Sequence, residues 1–168
     1  NPRICIVFFD SEETGLAGSE HFVRSLDPAC IEAMINVDLV GYGDTVIVGP
    51  SPSENEKTQL NQSIKKTCSG LSIDCLFSQR LPAGDYQSFD AVGIPTVSLA
   101  TLPSSEAHQA WHVLNRPDDS RLQNDNLPQI ARVIHTNSDT ADRLDPAAMT
   151  MAYNLLVNLL EELISPSK

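Results

Sequence analysis

Ile4-Cys5-Ile6-Val7-Phe8-Phe9-Asp10-Ser11-Glu12-Glu13-Thr14-Gly15 passes directly from an apolar, β-branched run into a cluster of acidic and small residues. A run of that length and composition predicts a strand buried on both faces. Open α/β sheets bind ligands beyond the carboxyl ends of their strands, because loops converge there and backbone groups are free. The segment from Asp10 to Gly15 therefore lies where chemistry is expected.

Further apolar runs at Ala33–Val40, Thr45–Val48, Ile73–Phe77 and Pro95–Ala100 predict strands of the same kind. Helical patterns lie between them at Ser19–Leu26 and Glu54–Cys68 and in the long segment after Asp145. There Asp145 can cap, Pro146 suits the first helical position, and Leu155, Leu156, Leu159, Leu160 and Leu163 recur at helical spacing. Strands alternating with helices predict an α/β sandwich around a largely parallel sheet. Ala33–Val40 followed closely by Thr45–Val48 across Gly41-Tyr42-Gly43-Asp44 reads as a hairpin, which makes the sheet mixed. From Leu102 to about Arg132 the pattern dissolves into polar residues around Trp111-His112, the expectation for a long irregular functional loop. Trp111 either lines a pocket or anchors that loop, and anchoring is favoured. No internal repeat and no second domain boundary is visible, so residues 1–168 read as a single domain.

At 168 residues and 41% hydrophobic, the chain is large enough to bury about two thirds of its unfolded surface. A formal net charge of −11 argues against nucleic-acid partners, which need clustered Lys and Arg. No stretch reaches the roughly 18 apolar residues a spanning helix requires. The sequence shows no signal peptide and enters an apolar run at once, so it is expected to be cut from something longer. Cys5, Cys30, Cys68 and Cys75 lack the spacing of a structural zinc site. Cys68 and Cys75 bracket a helix-to-strand turn, and they either pair in an oxidising compartment or stay small buried residues, the second being favoured.

The acidic residues at strand ends repay a census. The second run ends Asn36-Val37-Asp38, where an unpaired carboxylate next to apolar residues would be penalised, so a cation is expected nearby. His135 opens a string of small polar residues with Asp139 four positions on, and Asp139 is placed to accept one ring N–H and leave the other nitrogen free. Taken together, Glu13, Asp38 and His135 offer two oxygens and one nitrogen at one sheet edge, a suitable donor set for zinc. Zinc lowers the pKa of a bound water towards about 7, yet a base must still take its proton. Glu12, adjacent to Glu13 and pointing the other way on an extended segment, is the candidate base.

Four motifs in order then carry a family resemblance. They are Phe8 to Ser19, Met34 to Gly41, Gly84-Asp85-Tyr86-Gln87-Ser88-Phe89 with Gly93-Ile94-Pro95, and His135-Thr136-Asn137-Ser138-Asp139-Thr140. The sequence resembles the M28 family of co-catalytic zinc aminopeptidases across nearly its whole length. The resemblance implies an α/β/α sandwich around a twisted mixed sheet, two zinc ions, and release of N-terminal residues from peptides. It implies Glu12 as general base, Glu13 and Asp38 as ligands of separate zincs, and His135 as a second ligand of one of them. Asp85 and Phe89 fall near the family's substrate pocket and receive no catalytic role. A secreted or periplasmic location is also implied.

One departure matters. The family's His-x-Asp motif and the aspartate bridging its metals lie upstream of the Glu-Glu pair and are not in this sequence; His21, His108 and His112 lack the motif and follow the pair. The chain thus reads as a C-terminal portion of the family domain. Without the bridging carboxylate the metal sites are expected to be weak and the chain alone nearly inactive. Missing upstream strands would also leave bare edges prone to self-association. Two other readings stand beside the enzyme: a metal-free binding or scaffold domain on the same fold, and a transferase resembling the mono-zinc glutaminyl cyclases.

Overall fold

A computed structural model of the chain describes residues 3–50, 58–116 and 127–164. Its four strands are β1 (Met34–Val37), β2 (Thr45–Gly49), β3 (Cys75–Phe77) and β4 (Thr96–Leu102), laid side by side in the order β1-β4-β2-β3. The helices are α1 (Ala17–Arg24), α2 (Gln59–Leu71), α3 (Tyr86–Asp90), α4 (Ser104–Asn115), α5 (Ile130–Val133) and α6 (Pro146–Ile164). Three layers follow from side-chain alternation along the central strands. Val46, Val48, Val97 and Leu99 face one side and pack on Leu60 and Ile64 of α2 and Leu155 and Leu159 of α6. Ile47 and Leu102 face the other side and pack on Ala107 of α4. The expected α/β/α sandwich is present.

The hairpin expectation is overturned. β4 lies between β1 and β2, pairing with β1 in parallel (Met34 with Thr96, Val37 with Leu99) and with β2 antiparallel (Thr45 with Leu102, Gly49 with Ser98). β2 also pairs with β3 in parallel, so the sheet is mixed. Instead of turning β1 back on itself, residues 38–44 wrap the end of β4: Leu39 O accepts from Thr101 N–H at 3.0 Å, and Asp44 N–H donates to Leu102 O at 3.2 Å. Gly43 has φ +92, and a Cβ there would run into the backbone of Leu102 and Pro103. Only glycine combines that backbone with that approach.

Two more expectations change. The run Ile4–Phe9 is not a strand among the described residues: Ile4, Ile6 and Phe8 are 56%, 79% and 95% exposed. An apolar run becomes a strand only when a neighbour takes up its backbone N–H and C=O groups. Phe9 alone joins the interior, edge-on to Phe22 at 5.4 Å and near Phe89 at 5.9 Å. The supposed loop after Leu102 begins instead as helix α4, with Ala107 wholly buried and Trp111 donating its indole N–H to Phe77 O at 2.8 Å. Its start is capped from outside, since Asp44 Oδ1 accepts from Ser104 N–H at 3.0 Å. Trp111 therefore anchors α4 to β3, the favoured of its two readings. Residues 117–126 of that stretch lie outside the described residues, as do residues 54–57 of the helix expected at Glu54–Cys68, and the end of the stretch enters α5.

Asp145 caps α6 as its sequence predicts, its Oδ1 accepting from Ala147 N–H at 2.8 Å. Cys68 of α2 and Cys75 of β3 are joined in a disulfide, the less favoured of the two readings left open by the sequence.

Candidate functional site

Glu12 and Glu13 occupy a single 3-10 turn, Glu12–Thr14, rather than an extended segment. Ser11 at φ 57 and Gly15 at φ 96 bend the chain on either side, and Glu12 O accepts from Gly15 N–H at 3.2 Å and Leu16 N–H at 3.0 Å. Successive residues of such a turn diverge by about 120°, so the two carboxylates still aim apart, though not in opposite directions. A Cβ at position 18 would collide with Asp10, so Gly18 lets the first turn of α1 close onto this loop.

Asp38 leaves the end of β1, its backbone N–H held by Leu99 O at 3.1 Å. Its side chain is open to solvent on one side and not buried as the preceding apolar run suggested. His135 follows the short helix α5 in the left-handed region at φ 62, a conformation that costs a non-glycine residue about 1 kcal/mol. The turn around it is closed by Thr136 Oγ1, which donates to Val133 O at 2.6 Å and accepts from Ser138 N–H at 3.1 Å. His135 Nε2 contacts Glu13 Oε1 at 2.6 Å, so the first motif and the last meet across the sheet edge. Asp139 is exposed, and its backbone N–H donates to Thr136 O at 3.1 Å.

The charges of this corner act on one another. Burial raises the Glu12 pKa, the carboxylates of Glu13, Asp85 and Asp38 raise it further, and His135 opposes them. Asp38 is also raised, first by desolvation and then by Asp85 and Glu13, while a hydrogen bond from the Leu39 backbone and the His135 charge pull it down. A carboxylate tuned upward in this way is better matched to proton transfer near neutral pH.

Asp85 has no role readable from the sequence. It precedes α3, does not cap it, and its Oδ1 is covered without a hydrogen-bond partner among the described residues. A buried carboxylate oxygen of that kind calls for a cation or a donor. Its position after Gly84, at the carboxyl side of β3, is the same kind of placement that singled out Asp38.

Among the described residues no three His, Cys, Asp or Glu side chains are drawn together into a ready-made cage. The donor set nonetheless fits zinc, with two carboxylates and one imidazole. Glu13 and His135 touch each other directly, so they would have to part to admit an ion between them. Two shallow concavities lie elsewhere, beside the first turns of α6, and none of Glu12, Glu13, Asp38, Asp85, His135 and Asp139 lines them.

Comparison with known proteins bears on the family and the fold. A probable leucine aminopeptidase of Arthroderma benhamiae is 24% identical over 161 residues, which cover 93% of this chain and 38% of that protein. Its counterpart in Arthroderma otae is 27% identical with the same coverage. The chain thus spans less than two fifths of the length of the curated relatives it matches. BSAP, a zinc aminopeptidase from Bacillus subtilis, superposes with a TM-score of 0.69 at 18% identity, over 95% of this chain and 35% of that one. The LapA aminopeptidase of Legionella pneumophila gives 0.65 at 20% identity, over 96% and 39%. At such identities the superpositions speak for the fold. The sequence profile of peptidase family M28 matches residues 1–160, and by that match the chain belongs to peptidase family M28.

Proposed function

We propose that this chain carries the base and part of the metal site of a zinc-dependent aminopeptidase acting on the N-termini of peptides. The observation that carries the reading is the meeting of Glu13 with His135 at 2.6 Å, with Glu12 and Asp38 in the same electrostatic field. In this reading Glu13, Asp38 and His135 hold metal, and zinc there supplies Lewis-acid activation of water and of the scissile carbonyl. Glu12 takes the proton of the attacking water on its carboxylate and returns it to the leaving amine. Its raised pKa favours the first of these transfers, because a carboxylate of higher pKa takes a proton from water more readily. The surrounding acidic residues attract the substrate's free ammonium group. Asp139, in this reading, accepts the ring N–H of His135 that faces away from the metal.

The complete family site holds two zinc ions with ligands that this sequence does not contain, so the chain alone binds zinc weakly and turns over little substrate. The Cys68–Cys75 disulfide supports a secreted or periplasmic location, where such bonds persist. The exposed run at Ile4, Ile6 and Phe8 supports self-association, which analytical ultracentrifugation would read as a dimer at micromolar concentration.

The test is elemental analysis for zinc together with hydrolysis of an aminoacyl-anilide by the chain and by the longest polypeptide that contains it. Activity in the longer form that Glu12→Gln reduces by at least 100-fold, with zinc retained, is expected. Full activity in Glu12→Gln would remove the base from the reading.

A further inference from the structure

We propose that Glu106 is a positioning residue that fixes the spacing between the segment carrying Asp38 and the segment carrying His135. The inference rests on the reading of those two residues as metal ligands, but its geometry stands on different atoms. Glu106 lies in the first turn of α4, half-buried, and each of its carboxylate oxygens holds a different segment. Oε1 accepts from Tyr42 Oη–H at 2.8 Å, and Oε2 accepts from Ile130 N–H at 3.0 Å. Tyr42 stands in the loop that leaves Asp38, and Ile130 opens the short helix that ends just before His135.

The bridge has a firm base. Ala107, next to Glu106, is wholly buried against Ile47 and Leu102, and Tyr42, Ala110 and Ile130 pack on the same cluster. The start of α4 is tied by Asp44 Oδ1 to Ser104 N–H at 3.0 Å. Tyr42 is held a second time, its N–H donating to Thr101 Oγ1 at 3.3 Å, while that hydroxyl donates to Leu39 O at 3.3 Å.

The His135 segment is pinned to the Asp38 loop at its far end as well. Asp145 N–H donates to Gly41 O at 2.7 Å, and Leu144 lies so close to Gly41 that a Cβ there would collide with it. His135 thus sits in the middle of a span whose two ends are fastened to the same neighbouring loop. Of the two hydrogen-bonded fastenings, the far one is backbone to backbone and the one at Ile130 runs through the Glu106 side chain. Ile130 N–H is a first-turn helix donor with no partner inside its own helix, so it needs an outside acceptor. A single carboxylate serves both donors because it accepts on two oxygens.

Groups that orient metal ligands typically change metal affinity 10- to 100-fold when removed. The experiment compares the longest polypeptide that contains this chain with its Glu106→Ala and Glu106→Gln variants. It reads hydrogen exchange at Ile130 N–H by NMR, and Zn2+ affinity by competition with a chromophoric chelator. In Glu106→Ala, Ile130 N–H is expected to exchange at least tenfold faster and Zn2+ to bind about tenfold more weakly. Glu106→Gln is expected to restore both, because its amide oxygen accepts from Ile130 while its NH2 donates to Tyr42 Oη. Ile64→Val, a core change away from the site, should lower the unfolding midpoint and leave Zn2+ affinity unchanged. Unaltered Ile130 exchange in Glu106→Ala overturns the proposal, as does failure of Glu106→Gln to restore what Glu106→Ala loses. If Ile130 is deprotected as expected but no variant binds Zn2+, the bridge stands and the metal reading falls. If Zn2+ binds equally to all variants with Ile130 unaltered, the metal reading stands and the bridge falls.

Discussion

Reduction of the Cys68–Cys75 disulfide should cost about 2.5 kcal/mol of folding stability. The bond joins the last turn of α2 to the first residue of β3 across a sequence separation of 7. Closing a loop of about eight residues removes about 8 cal/mol/K of entropy from the unfolded chain, or about 2.5 kcal/mol at 25 °C. In the folded chain the same turn is already held without the bond, because Ser72 takes up the left-handed conformation and Ile73 N–H donates to Cys68 O at 3.0 Å. The bond therefore acts chiefly on the unfolded side. The assay is urea unfolding with and without dithiothreitol, followed by circular dichroism. With an m-value near 2 kcal/mol/M, the midpoint should fall by about 1 M and m should rise slightly, since the reduced unfolded chain is more expanded. Cys68→Ala with Cys75→Ala should fall somewhat further, because Cys68 is 4% exposed and packs in the main core. Equal midpoints in oxidised and reduced protein, with the bond verified by thiol labelling, would refute the assignment of its effect to the unfolded chain.

Three further outcomes follow from particular contacts. Leu159→Ala, at a position with no exposure where α6 meets α2 and the sheet, should destabilise by about 3–5 kcal/mol in the same urea assay; a loss under 1 kcal/mol would mean that α6 does not dock as described. Gly43→Ala combines a positive φ with a collision against the end of β4 and should cost more than about 1 kcal/mol, whereas Gly70→Ala, in a helix with open space around it, should be neutral or stabilising. Glu12 and Asp38 should each add stability to the metal-free chain on acidification. Glu12 and Asp38 both have folded pKa values above their ordinary 4.5 and 3.8, so the folded state binds more protons; their contribution is fully present below the ordinary values and is lost as pH rises through the raised ones. Melting temperatures in chelator between about pH 4 and 7 check this. Asp38→Asn should flatten the slope, and an unchanged slope in that variant would assign the effect to other carboxylates.

Much of the candidate site was legible along the chain. Glu12, Glu13, Asp38 and His135 stand out because acidic residues at the ends of apolar runs, and a histidine opening a polar loop, are readable in one dimension. The structure brings Glu13 and His135 into contact although more than a hundred residues separate them. Asp85 and Glu106 were not legible in the same way. The role of Asp85 depends on an oxygen that burial leaves without a partner, and that of Glu106 on two donors from remote loops. No spacing rule encodes either.

The same division runs through the fold. Apolar runs, caps and helical periodicity belong to each segment by itself, so β2, β4, α6 and the α/β alternation could be read directly. Strand partners belong to no segment alone. β1 and β2 are neighbours in the chain, yet each finds its hydrogen bonds on β4, the longest strand and one with two edges to offer. Ile4–Phe9 has the composition of a strand but stays exposed, because backbone groups become a ladder only where another strand lies alongside. Residue type sets what each segment is able to bury and which chemistry it brings. The competition of distant segments for the same edges and the same carboxylates sets where that chemistry is gathered.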